Sequence, residues 1–102
     1  METFEWLQEW YARHCDGVWE HSYGVTIETL DNPGWRVAIQ LTGTELEHAN
    51  AQSFLAAYPA MQRSETDWIH FTIKDKQFIA GCGPNNLKEA VEVFRKFASF
   101  ET

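Results

Sequence analysis

Between residues 35 and 41 the side chains alternate without a break: Trp35, Val37, Ile39 and Leu41 fall on one side of an extended chain, and Arg36, Ala38 and Gln40 on the other. A period of two belongs to a β-strand, and this one demands a sheet with one covered face. A strand needs neighbours. Residues 23 to 30 supply one, with Tyr23, Val25 and Ile27 as the matching apolar set, and Asp31-Asn32-Pro33-Gly34 between the two runs predicts a β-hairpin. Pro33 pre-sets its own φ, and Gly34 after it is expected to take the positive φ of a type II turn. A second hairpin is expected from residues 68 to 73 and 77 to 82, joined through Lys74-Asp75-Lys76, with Ile69, Phe71 and Ile73 alternating.

Helical spacing brackets these runs. Phe4, Leu7, Trp10 and Tyr11 recur at intervals of three and four, which predicts an amphipathic helix over residues 4 to 14, capped by Thr3, with Gly17 past its last turn. Trp6 falls off that stripe. Leu87, Ala90, Val91, Phe94, Phe97 and Ala98 predict a second helix to the C-terminus, with Asn86 and Glu89 at the spacing of a capping box. Residues 43 to 66 settle on no period: Thr44 and Glu47 have the spacing to cap a short helix, Pro59 interrupts it, and mostly irregular chain with an edge strand near residues 54 to 63 is expected. Without repeats or linkers, residues 1 to 102 read as a single domain. The expected fold is α+β: an antiparallel sheet of about four to five strands in two hairpins, with the N-terminal and C-terminal helices packed on one face.

Charge narrows the function. The formal net charge is −7, and it is unevenly placed: residues 1 to 51 hold nine acids against Arg13 and Arg36, while residues 52 to 102 balance at six against six. Such a field repels nucleic acid and anionic membrane and steers basic partners inward. There is no apolar run of membrane-spanning length, and Met1-Glu2-Thr3-Phe4-Glu5 lacks the basic flank of a secretion signal, so a cytoplasmic location is expected. Two cysteines, Cys15 and Cys82, are too few for a disulfide scaffold; reduced thiols are the default, with a single bridge as the alternative.

The densest polar stretch is His14-Cys15-Asp16-Gly17-Val18-Trp19-Glu20-His21. A thiolate nucleophile at Cys15 would need a base beside it and a lowered pKa, yet the side chains of residues 14 and 15 diverge, and acids at 16 and 20 raise a thiol pKa. The same stretch offers zinc-type ligands without the spacing of a zinc site, so neither metal nor cofactor is expected. Gly81-Cys82-Gly83-Pro84-Asn85-Asn86 lacks the lysine of a phosphate cradle and reads as a strand-to-helix turn. No catalytic residue emerges, and the chain is not expected to be an enzyme. The alternative is a small thiol-dependent enzyme, of the sulfur-transfer kind, using Cys15 or Cys82.

Several blocks, in order along nearly the whole chain, carry a resemblance. They are Trp6-Leu7-Gln8-Glu9-Trp10-Tyr11, Cys15-Asp16-Gly17, Trp19-Glu20-His21, Tyr23-Gly24, Thr29-Leu30-Asp31-Asn32-Pro33-Gly34-Trp35, Thr42-Gly43-Thr44-Glu45-Leu46, Asp67-Trp68-Ile69-His70 and Gly83-Pro84-Asn85-Asn86-Leu87. With these the sequence resembles the immunity protein 53 family of bacterial polymorphic toxin systems. The resemblance implies a non-enzymatic protein, encoded beside a toxin, that binds and neutralises it in interbacterial competition. Combined with the acidic half-chain, it points to a basic partner, a toxin that cuts nucleic acid. The expected partner-binding residues are Asp16, Glu20, Asp31, Glu45 and Glu47, standing where substrate phosphates would lie, with Trp19 supplying buried area.

Overall fold

Both period-two runs become strands, and both brackets become helices. The computed structural model describes residues 1–100. Along the chain run helix α1 (Thr3–His14), the helical turn α2 (Trp19–Ser22), strands β1 (Val25–Leu30) and β2 (Gly34–Gln40), and helix α3 (Gln52–Ala57). They are followed by the two-residue strand β3 (Met61–Gln62), strands β4 (Trp68–Lys74) and β5 (Gln77–Cys82), and helix α4 (Leu87–Phe100). The strands form one antiparallel sheet in the order β1-β2-β5-β4-β3, so the two expected hairpins join through β2 and β5. This is the α+β arrangement expected.

Alternation decides which face is covered. Val37, Ile39, Phe78 and Ala80 are fully buried and meet Leu7 and Trp10 of α1 and Val91, Phe94 and Phe97 of α4 in one apolar cluster. Phe94 is its hub, with ring centroids 5.0 Å from Trp10, 5.2 Å from Phe78 and 5.7 Å from Trp6. Each large side chain so buried contributes about 1.5–3 kcal/mol, which makes the cluster the main source of stability. The cover stops short of β1, where Thr26 through Thr29 are exposed.

Four local expectations are corrected. The N-cap of α1 is Glu2, whose carboxylate accepts from the amides of Phe4 and Glu5 at 3.0–3.1 Å; Thr3 is buried inside the helix and gives its hydroxyl to Glu92 of α4. A long side chain can fold back over the first turn, which frees threonine for a tertiary bond. Gly34 is not among the residues with positive φ. It is glycine because a Cβ there would stand 2.3 Å from the Cys82 carbonyl oxygen across the β2–β5 pair. Asn86 and Glu89 do meet, but side chain to side chain at 3.1 Å, and not through the backbone amides of a capping box. The stretch from 43 to 66 holds a true helix before Pro59, and its edge strand shrinks to Met61–Gln62.

The β3–β4 connection is fastened to α4 by a polar clamp. Arg63 grips Asp67 through Nε at 2.8 Å and Nη2 at 2.7 Å, and Nη2 also reaches Glu89 at 2.9 Å. Asn86 donates to the same two carboxylates at 2.9 and 3.1 Å and accepts from the Trp68 amide at 3.3 Å. Arg63 first, and Asn86 second, hold the Asp67 carboxyl down to about 2 from its ordinary 3.8. Because the folded value lies below the unfolded one, this stabilisation is complete above about pH 4 and is lost as the pH falls through the folded value. Urea midpoints measured from pH 5 to pH 2 should therefore fall more steeply for the wild type than for Asp67→Asn; parallel curves would remove the clamp from the acid response.

Candidate functional site

The first half of the chain converges on Trp19. Its ring centroid lies 5.6 Å from His14, 5.8 Å from Tyr11, 6.2 Å from Trp10 and 6.5 Å from Tyr23, and its indole N–H donates to the Thr42 carbonyl at 2.7 Å. Trp19 is 5% exposed. It was expected as a contact anchor; it stands instead in the core, with almost no area to offer a partner, because its N–H is satisfied inside the fold and aromatic rings surround it.

Four carboxylates are anchored around this indole. Asp16 accepts from the Val18 and Trp19 amides at 2.9 Å each, and Glu20 reaches back to the amides of Asp16 at 2.9 Å and Gly17 at 2.8 Å. This reciprocal closure leads into α2, and its spacing of four residues is one longer than that of a capping box. Glu45 lies 2.6 Å from His14 Nε2 and 3.5 Å from Arg13, while the other ring nitrogen of His14 donates to the Trp10 carbonyl at 2.7 Å. Glu47 accepts from the Gly43 amide at 2.9 Å and pairs with His48 at 2.8 Å.

The hairpin explains which acids assemble. Val25 pairs with Ile39, so α2, just before β1, meets the segment that leaves β2 toward Glu45 and Glu47. Asp31 does not join them. It lies in the turn at the opposite end of β1, and six residues at about 3.3 Å each separate it from α2 by roughly 20 Å.

These carboxyls are set to stay ionised. The Trp19 and Val18 amides lower Asp16, and the Gly43 amide lowers Glu47. Glu20 is lowered by its own amide first, against some burial, and then by those of Asp16 and Gly17. Burial pushes Glu45 up, but its own amide, the bond from His14 and the charges of His14 and Arg13 together outweigh it. The negative charge at this end is thus fixed in place by backbone donors, which act on the charged form.

Residue spacing did not flag the apolar part of this surface. Tyr11 and Tyr23, 38% and 39% exposed, flank Trp19, and Val18 beside Asp16 is 75% exposed. The spacing of the first helix puts Tyr11 on its apolar stripe, but the inward set is Thr3, Leu7 and Trp10, and Tyr11 turns outward. The cysteines are both free thiols. Cys82 is fully buried under the sheet's cover and its thiol is raised by that burial, whereas Cys15 is half-buried and donates to the Tyr11 carbonyl at 3.3 Å.

A family model described as Immunity protein 53 matches residues 4–99, nearly the whole chain. The chain belongs to the immunity protein 53 family. Membership makes it an immunity protein directed at a toxin, an inhibitor by role, and gives it a cognate toxin as partner. Comparison with curated proteins and with solved structures finds no match. Among the described residues no helix is long and apolar enough to cross a membrane.

Proposed function

We propose that this immunity protein neutralises its toxin in the cytoplasm by covering a basic, phosphate-binding cleft with a preformed acidic surface, and that the toxin is a nuclease. The observation that carries this reading is the assembly of Asp16, Glu20, Glu45 and Glu47 around one buried indole, each held by backbone amides or a histidine. Charges fixed before the encounter lose little conformational freedom on binding, so more of their attraction survives as affinity. Tyr11, Tyr23 and Val18 supply the apolar area beside them. Trp19 acts from underneath, setting the positions of its neighbours. A nuclease cleft is built to hold phosphate and presents lysine and arginine, which is the field that acids accelerate toward contact.

Charge reversal tests it. Glu45→Lys with Glu47→Lys should slow association with the inactivated toxin domain by about tenfold at low salt and flatten the dependence of the association rate on ionic strength. Glu45→Gln keeps a hydrogen-bonding partner for His14 while removing the charge, and should slow association less. Stopped-flow traces over a salt series provide the measurement. Unchanged rates and an unchanged salt slope in a double variant that still melts cooperatively would sink the acidic-surface mechanism.

A further inference from the structure

The outer edge of β1 bears hydrogen-bonding groups that the sheet does not use. β1 is the end strand, and among the described residues it pairs with β2 alone. The Gly24 carbonyl accepts from the Gln40 amide at 3.0 Å, so Gly24 and Gln40 face each other as a hydrogen-bonded pair. In an antiparallel ladder such pairs alternate with non-bonded ones. Thr26, Glu28 and Leu30 therefore turn their backbone groups toward β2, and Val25, Ile27 and Thr29 turn theirs outward. The same alternation requires Leu41 to bond to β5 and Gly83 to bond to β4; both bonds are present, Leu41 to Lys76 and Gly83 to Trp68, at 2.9 Å.

Natural edges are blunted by proline, charged side chains, a bulge or a covering segment. β1 carries one charge, Glu28, which pairs inward with Arg36, and its six residues include no proline, lysine or bulge. Its sequence, Val-Thr-Ile-Glu-Thr-Leu, pairs one to one along all six residues, and Ile27 is 37% exposed. The opposite edge of the sheet is treated otherwise: β3 pairs with the start of β4, and Phe54 packs on Phe71 with centroids 6.0 Å apart.

Charge selects the occupant. Glu28 stands mid-strand, 3.4 Å from Arg36; Asp31 lies in the turn at one end. At the other end Glu20 lines a surface groove of about 350 Å³ with His21, Tyr23, Thr26 and Gln40. An acid thus lies at each end of the open edge, and Glu28 between them already pairs with Arg36. Two copies of this chain would meet with a net charge of −7 each, whereas a cationic strand would find complementary charge at both ends. We propose that a strand of the toxin adds to the outer edge of β1 and extends the sheet, with Lys or Arg toward Glu20 and Asp31 at the two ends and apolar residues beside Val25 and Ile27, on the face that β2 turns to the helices. This inference rests on the reading of the partner as a basic toxin, and it gives Asp31 a role that the Trp19 cluster does not.

Residue-resolved amide exchange by NMR, on the full chain alone and with the inactivated toxin domain encoded beside it, is the test. In the free protein Thr26 and Glu28 should exchange slowly and Val25, Ile27 and Thr29 fast. In the complex the latter three should slow by roughly tenfold or more. Ile27→Pro deletes an outward donor and no β1–β2 bond, and should weaken toxin binding by about tenfold or more with a cooperative melt retained. If that variant does not fold, the exchange pattern of the wild type decides alone. A complex in which Val25, Ile27 and Thr29 still exchange fast overturns the strand addition and leaves the acidic surface standing. Protection of the same amides that grows with protein concentration, without toxin, assigns the edge to a second copy and also overturns it. Failure to form any complex overturns the functional reading and this inference together.

Discussion

Trp19→Ala is expected to cost about 3–5 kcal/mol of folding stability, the range found when a large aromatic is removed from a packed core. Domains of this size are stable by roughly 5–15 kcal/mol, so the loss takes a large share of the total. The indole is 5% exposed, touches Trp10, Tyr11, His14 and Tyr23, and satisfies the Thr42 carbonyl, which would be left without that donor. A tryptophan that served as an exposed contact anchor would behave oppositely: its truncation would leave the melt almost unchanged and lower only toxin affinity. Chemical denaturation of wild type and Trp19→Ala separates the two. A shift below about 1 kcal/mol would return Trp19 to the surface. Tyr11→Ala and Tyr23→Ala provide the contrast, because both rings are more than a third exposed and should cost less stability and more binding.

The sheet was legible in the sequence because period-two alternation survives any tertiary detail. Trp35, Val37 and Ile39 had to share a face, and once they did the partner runs and both hairpins followed. Residues 43 to 66 were not legible, for a physical reason. α3 is six residues long, and among the described residues a single side chain, Asn50, accepts from an amide of its first turn, that of Gln52 at 3.1 Å; it is held by Phe54, whose ring lies 4.7 Å from Tyr58, 5.3 Å from Phe97 and 5.5 Å from Phe100. Short helices rely on tertiary packing that local propensity does not encode. β3 is smaller still, and hangs on bonds such as the one from the Arg63 amide to the Asp67 carbonyl at 2.8 Å. Thr3 departs from its expected capping role for a related reason: its hydroxyl has a partner 89 residues away, in Glu92, which no local pattern announces.

The candidate site divides along the same line. That Asp16 and Glu20 act together is local, since they close one loop four residues apart, but that spacing matches no capping rule and only the structure discloses the closure. Their meeting with Glu45 and Glu47 is a property of the β1–β2 register, and so is the exclusion of Asp31. Acid count alone put all five in one group. Aromatic count likewise could not tell Trp19 from Tyr11: both stand near acidic residues, but the first is enclosed and the second faces outward.

Gly83→Ala is expected to destabilise the protein by about 3 kcal/mol, the upper end of what an added methyl costs in a tight core. A Cβ at residue 83 would stand 2.2 Å from the Thr66 carbonyl oxygen, 3.0 Å from its carbonyl carbon and 2.5 Å from Asn86 Oδ1. Two of these three atoms are backbone and cannot rotate away. The third belongs to the amide that binds Asp67 and Glu89, so relief in that direction opens the clamp that Arg63 completes. The methyl must therefore push the loop before β4 off the start of α4. Gly81→Ala is the internal control, two residues earlier and inside β5: its Cβ would meet only the Trp68 ring, at 3.6 and 3.8 Å, which is ordinary contact. Thermal and urea unfolding of both variants should show a large loss for Gly83→Ala and less than about 1 kcal/mol for Gly81→Ala. Equal losses would mean that the close approach at Thr66 relaxes freely and that the clamp does not fix the β5–α4 turn. The same comparison bears on function, because the clamp lies in the charge-balanced half of the chain, away from the Trp19 cluster. A folded fraction of Gly83→Ala should therefore bind the toxin at close to the wild-type rate.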